Sequence, residues 1–222
     1  MRAAVLFSGG LDSAVLVAAE RQVADRVWPV HVRSGFAWEA EEARVIADLL
    51  AAPPFLGRVE PATTLTVEMR DIYPASHWAV TGQTPAYDTP DEDVYLEGRN
   101  ITLLAKTAVL CARLDIERIA IGPLAGNPFP DATPAFLETM GRALSLGLAH
   151  EVTIAAPFRD RHKDDVIRLG ESLGVPLERT LSCMSPDAGR HCGRCSKCRE
   201  RQEAFHAAGL PDRTVYATPP AG

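Results

Sequence analysis

The sequence predicts an α/β protein in which a parallel sheet is covered by helices on both faces. Three observations carry this expectation. Short apolar runs alternate with stretches of helical periodicity along most of the chain. The intervals between runs leave room for the crossover helix that each parallel connection needs. The first run ends in Ser8-Gly9-Gly10 and passes directly into an apolar helical stretch, as a strand, tight loop and helix would.

Residues 3–7 form that first run, and residues 11–19 the first helix. Residues 27–32 repeat the strand signal, and residues 39–50 place Ala43, Ile46, Ala47 and Leu50 at helical spacing. A third strand is expected over residues 55–59. Residues 74–93 mix Pro, Gly, Asp and Thr without periodicity and predict a long surface loop. Asn100 is the expected N-cap of a helix over residues 101–114, followed by a strand at 118–121 and a helix at 134–146. A strand at 152–155 and a helix at 164–173 complete the pattern. In sheets of this kind ligands bind beyond the carboxyl ends of the strands, where residues 8–13 would lie.

A chain of 222 residues, 46% of them hydrophobic, can bury one substantial core. The expected division is an α/β domain over residues 1–178 with a cysteine-bearing appendage, residues 179–222, packed on it. No run approaches the roughly 20 apolar residues of a membrane span, and the start of the chain lacks a signal-peptide pattern, so a cytoplasmic protein with no membrane partner is expected. The net charge of −6, with basic residues clustered only at the cysteine-rich end, argues against nucleic acid as the main partner.

Ser8-Gly9-Gly10-Leu11-Asp12-Ser13 has the small residues that let backbone N–H groups and hydroxyls approach an anion at a helix N-terminus. It lacks the lysine of the G-x-x-x-x-G-K-[ST] loop and the spaced glycines of a dinucleotide fingerprint. A tight turn with Asp12 at a helix start is the plainer alternative. The whole hexapeptide resembles the signature of the N-type ATP pyrophosphatases, which cleave ATP between its α and β phosphates.

Cys183, Cys192, Cys195 and Cys198 follow a C-x8-C-x2-C-x2-C spacing that can surround one tetrahedral Zn²⁺. Four thiolates leave no open position, which predicts a structural ion; an iron–sulfur cluster or redox thiols would accept the same spacing. His191 is a neighbour that could compete as a ligand. Arg194, Lys197, Arg199 and Arg201 either stabilise thiolate charge or form a solvated basic face. Cys111 lies inside an apolar helical stretch and is expected in the core.

With these motifs the chain resembles the 7-cyano-7-deazaguanine synthase family. The resemblance rests on Ser8–Ser13, Gly98-Arg99-Asn100, Pro130-Asp131, Lys163, and Ser182-Cys183 joined to the segment His191–Cys198. It implies an adenine nucleotide alpha hydrolase-like, Rossmann-like fold and a homodimer. It also implies an ATP-dependent ligase acting on a small-molecule carboxylate and ammonia. The carboxylate is adenylated and converted to an amide, and the amide oxygen is then activated and lost to give a nitrile. On this resemblance Ser8, Gly9, Gly10 and Ser13 would hold pyrophosphate, and Asp12 would place ATP and Mg²⁺. Arg99 and Lys163 would offset developing negative charge, and Asn100 and Asp131 would contact the substrate.

The sequence departs from the family where a purine-like base would be read. Val32-Arg33-Ser34-Gly35-Phe36-Ala37-Trp38 stands in place of a Tyr-Gly-Gln-Arg-His stretch, Glu97 replaces a common proline, and Met184 follows Cys183 where an aromatic is usual. Phe129 or Trp38 could stack on a flat ring. Another carboxylate acceptor, a tRNA-thiolating enzyme and a non-enzymatic zinc-bearing regulator are the competing readings.

Overall fold

The computed structural model describes residues 1–187 and 189–218. In chain order its elements are β1 (Arg2–Leu6), α1 (Leu11–Glu20), β2 (Arg26–Arg33), α2 (Glu39–Leu50), β3 (Thr63–Thr66) and α3 (Trp78–Thr81). There follow α4 (Arg99–Leu114), β4 (Arg118–Ala120), α5 (Pro134–Leu148), β5 (Thr153–Ala155), α6 (Lys163–Ser172) and α7 (Ser196–Ala208). The five strands form one sheet in the order β3-β2-β1-β4-β5, every neighbouring pair parallel.

Side-chain alternation along the strands divides the core in two. Ala3 and Val5 of β1 face the side of α1, α2, α6 and α7, in one buried cluster with Leu11, Val15, Ile46, Val166, Ile167 and Phe205. Ala4 and Leu6 face the opposite way, onto Leu104, Ala108 and Cys111 of α4 and Leu137 of α5. Both faces of the sheet are therefore covered, as expected for a parallel sheet. Cys111 is fully buried in the second of these clusters. Because the chain leaves β1 toward β2 on one side and reaches β4 on the other, the connections after β1 and β4 diverge and open a crevice between them.

Three sequence expectations are corrected. Residues 55–59 are turns rather than a strand. Phe55 plugs the core with no exposed surface while Leu56 is exposed, and local bonds such as Arg58 N–H to the Phe55 carbonyl close the backbone on itself. The strand that lines the sheet edge is β3, whose Thr-Thr-Leu-Thr sequence is mostly β-branched but has one apolar residue in four. Residues 74–93 are not simply a surface loop: α3 and the start of a 3₁₀ turn at Asp91–Val94 lie within them, and Ala79 is buried in a small cluster with Phe36, Trp38, Met69, Tyr73 and Leu96. Asn100 does not cap α4, because Gly98, at φ 71°, holds that position and the helix begins two residues earlier than expected.

Gly170 of α6 marks the tightest helix contact in the core. A Cβ there would lie 2.7 Å from Val15 Cγ2 and 2.9 Å from Leu177 Cδ2. Alanine gains about 1 kcal/mol of helix propensity over glycine, whereas overpacking costs about 1–3 kcal/mol, so the clash wins. Thermal unfolding is expected to show Gly170→Ala melting several degrees lower, while Gly147→Ala in α5, where no atom lies within 4 Å of the added methyl, is neutral or slightly stabilised.

Candidate active site and metal centre

The Ser8–Ser13 loop lies at the carboxyl end of β1 and turns into α1. Gly9 adopts φ 76°, and a Cβ on it would stand 3.1 Å from Val45 Cγ1, so both the conformation and the space call for glycine. Ser13 Oγ accepts from Ser8 N–H at 3.3 Å and donates to the Gly10 carbonyl at 2.9 Å. Ser8 Oγ accepts from Gly10 N–H at 3.3 Å. These bonds tie the loop into a compact turn ahead of α1, which Gly10 caps with no side-chain oxygen. The uncapped first turn carries the positive end of the helix dipole, the environment that an anion prefers.

Lys163, the first residue of α6, reaches this loop. Its ammonium lies 3.3 Å from Asp12 Oδ2 and forms a short ion pair with Glu200 of α7, whose second oxygen accepts from Lys197 at 2.7 Å. Burial alone would lower the Lys163 pKa, but the charges of Asp12 and Glu200 outweigh it and hold the amine above its ordinary value. Burial would likewise raise Glu200, yet Lys163 and Lys197 bring it down to about 2. Asp12 keeps its other oxygen, Oδ1, buried without a partner.

The loop opens onto a cleft with two adjoining lobes of about 300 and 500 Å³. Arg99, the first residue of α4, lines both lobes, its guanidinium over the Phe36 ring at 6.0 Å and its Nε buried without a partner. Asn100 and Asp131 lie in the smaller lobe and hold each other. Asp131 Oδ2 accepts from Asn100 N–H at 3.0 Å, and Oδ1 accepts from Asn100 Nδ2 at 3.2 Å. Asp131 thus satisfies the start of α4 that Asn100 was expected to cap. Phe129 stacks on Tyr95 with ring centroids 5.0 Å apart, and Trp38 on Trp78 at 5.6 Å.

The four cysteines are drawn together by the tail. Cys195 is the N-cap of α7 and Cys198 lies in its first turn, while Cys183 and Cys192 come from the preceding loop. All four are buried, and their sulfurs lie within 4.8 Å of one another, a separation that fits one tetrahedral ion. Backbone N–H groups of Cys192 and Ser185 donate to Cys183 Sγ at 3.2 and 3.3 Å, as suits sulfur carrying negative charge. His191 is no ligand: its Nε2 accepts from Ser182 N–H at 3.0 Å. Burial, then the nearby Arg201, pushes its pKa down to about 3, so it is a neutral acceptor.

The comparisons with known proteins bear on the whole chain. A sequence model described as "Queuosine biosynthesis protein QueC" matches residues 2–209. The chain belongs to the QueC family. Curated QueC relatives named 7-cyano-7-deazaguanine synthase include those of Methanoculleus marisnigri, 34% identical over 97% of this chain and 98% of that protein, and of Azoarcus sp., 34% identical over 97% and 96%. Among solved structures, a "predicted subunit of tRNA methyltransferase" from Methanocaldococcus jannaschii superposes with a TM-score of 0.51 over 100% of this chain and 93% of that one. At 13% identity it shares the fold. Among the described residues no helix is long and apolar enough to cross a membrane.

Within this QueC chain three of the basic residues around the cysteines, Lys197, Arg199 and Arg201, have separate partners. Arg201 is 1% exposed and donates to Thr214 Oγ1, Thr180 Oγ1, Ser182 Oγ and the Leu177 carbonyl at 2.6–3.0 Å. Arg199 points to Asp88 and Tyr87, and Lys197 to Glu200. Sequence reasoning missed Glu200, Leu181 and the buried His31–Glu42 pair, joined at 3.1 Å beside the smaller lobe. The first has a local signal only in its spacing from Lys197, and Leu181 acts through its backbone.

Metal removal should be visible in stability, because a closed thiolate site contributes folding free energy outright. Cys195→Ser is expected to lower the metal content measured by elemental analysis to near zero and to cut the melting temperature by about 5 °C or more. Retained metal and an unchanged melting temperature would refute the assignment.

Proposed function

We propose that the chain is a 7-cyano-7-deazaguanine synthase: an ATP-dependent ligase that converts 7-carboxy-7-deazaguanine and ammonia to the nitrile. The observation that carries this reading is the compact loop of Ser8, Gly10 and Ser13 ahead of the uncapped first turn of α1, with the Lys163 ammonium beside it, in a chain whose curated relatives bear that name.

A carboxylate resists ammonia until one oxygen becomes a good leaving group. Attack of that oxygen on the α-phosphate of ATP gives an acyl adenylate and releases pyrophosphate. Ammonia then displaces AMP and loses a proton to leave the amide. The amide oxygen attacks a second ATP, again releasing pyrophosphate, and departure of AMP with loss of the remaining N–H protons completes the nitrile. In both rounds negative charge grows on the leaving pyrophosphate, where the loop N–H groups, the Ser8 and Ser13 hydroxyls and Lys163 oppose it. Arg99, with a donor lacking a partner, is suited to the carboxylate or the phosphate under attack.

Asp12 Oδ1, buried and unpartnered, suits a Mg²⁺ that would neutralise the phosphates. Cys183, Cys192, Cys195 and Cys198 would hold Zn²⁺, which supplies cross-linking of the 179–222 appendage. Asn100 and Asp131 form one wall of the acceptor site. The protein acts as a cytoplasmic homodimer, which sedimentation of the purified chain tests.

Pyrophosphate release from ATP, with and without 7-carboxy-7-deazaguanine and ammonium, tests the reading together with mass spectrometry of the product. Substrate-dependent release and a nitrile are expected, with Ser13→Ala or Lys163→Ala slower by about a hundredfold. Release with some other carboxylate, and none with this one, would move the assignment to another acceptor.

A further inference from the structure

A carboxylate stands where the proposed reaction gathers phosphate charge. Glu200 lines the larger lobe between Lys163 and Lys197, pairing with both, while Lys163 also touches Asp12. Asp12, Lys163, Glu200 and Lys197 thus alternate in sign along the cleft floor. The side chains of Lys163, Glu200 and Lys197 are only 16–28% exposed, so water screens these charges weakly. The Lys163 ammonium cannot serve a phosphate fully while Glu200 holds it.

Two roles are open to such a carboxylate, and they predict opposite signs. If Glu200 only orients Lys163, removing it loosens the ammonium and weakens phosphate binding. If Glu200 competes with the phosphate for the same ammonium groups, removing it tightens binding. Lys163 has an independent anchor in Asp12 at 3.3 Å and is fixed at the first position of α6, so loss of Glu200 does not unmoor it. A negative charge beside a bound polyanion, by contrast, is repulsive whatever the lysine does.

We infer that Glu200 is a displaceable counterion: it neutralises Lys163 and Lys197 in the phosphate-free cleft, yields them to pyrophosphate, and recaptures them as pyrophosphate leaves. It is a positioning residue, acting through the two lysines. The inference rests on the nucleotide-loop reading above, and it gives that site a means of releasing a highly charged product twice in each catalytic cycle.

The test is the affinity of the zinc-loaded protein for inorganic pyrophosphate, measured by calorimetry, with its inhibition constant and kcat in turnover. Glu200→Gln removes the charge and keeps the shape. It is expected to bind pyrophosphate about tenfold more tightly, with stronger product inhibition and a lower kcat. Glu200→Asp, which keeps the charge but shortens the reach to both lysines, should fall between. Should the Gln variant lose its metal, the Asp variant carries the same test, since its affinity must still exceed that of the unaltered protein. Equal or weaker pyrophosphate binding by these variants overturns the inference alone. Absence of pyrophosphate binding in the unaltered protein, with no change in Ser13→Ala, removes the nucleotide-loop reading and this inference together.

Discussion

A single backbone hydrogen bond joins the two ends of the functional region: Leu181 N–H donates to the Gly9 carbonyl at 2.9 Å. Gly9 is the left-handed residue of the Ser8–Ser13 loop, and Leu181 stands two residues before the first cysteine of the thiolate cluster. The approach is close, for a Cβ on Gly10 would lie 3.3 Å from the Leu181 carbonyl oxygen. The loop is therefore held from behind by a segment with no regular secondary structure, whose position depends on what fixes the tail. Three attachments do so: Cys183 in the thiolate cluster, Ser182 N–H on His191, and Arg201 on Thr180, Ser182 and Leu177.

Arg201 fixes the tail from within. Burial lowers its pKa from the ordinary arginine value, and neutral oxygens rather than a carboxylate take its hydrogen bonds. Burying such a cation is costly unless its donors are matched, and here several are. The tail itself wraps tightly: His191 and Cys192 exchange backbone bonds with residues 215–218, and Gly193, at φ 78°, leaves no room for a side chain beside the Thr218 carbonyl. Outside α7 the tail has little helix or sheet of its own and gains its rigidity from cross-links, of which four thiolates on one ion would be the strongest.

Much of this was legible in the sequence. The period of the apolar residues gave the order of strands and helices, because each buried strand and each amphipathic helix leaves a local pattern. The glycine loop and the cysteine spacing were legible for the same reason, since their chemistry is encoded in adjacent residues. The failures share a cause as well. Residues 55–59 resemble a strand because Phe55 must be buried, although only one of the run is. The edge strand β3 has one neighbour and little apolar surface, so it leaves a faint signal. Lys163 and Glu200 are 37 positions apart, and the contact between Leu181 and Gly9 involves no side chain at all. Pairings of this kind follow from topology, which brings α6, α7 and the tail to the same end of the sheet as α1.

The central claim is that the metal-bearing tail holds the anion loop in shape, and hydrogen–deuterium exchange in metal-loaded and chelated protein tests it most directly. The account predicts that chelation sharply speeds exchange of the amides of residues 8–13 and of Leu181, while amides of β1, β4 and α4 away from the loop keep their protection. Unchanged protection of the loop after the metal has gone would contradict it.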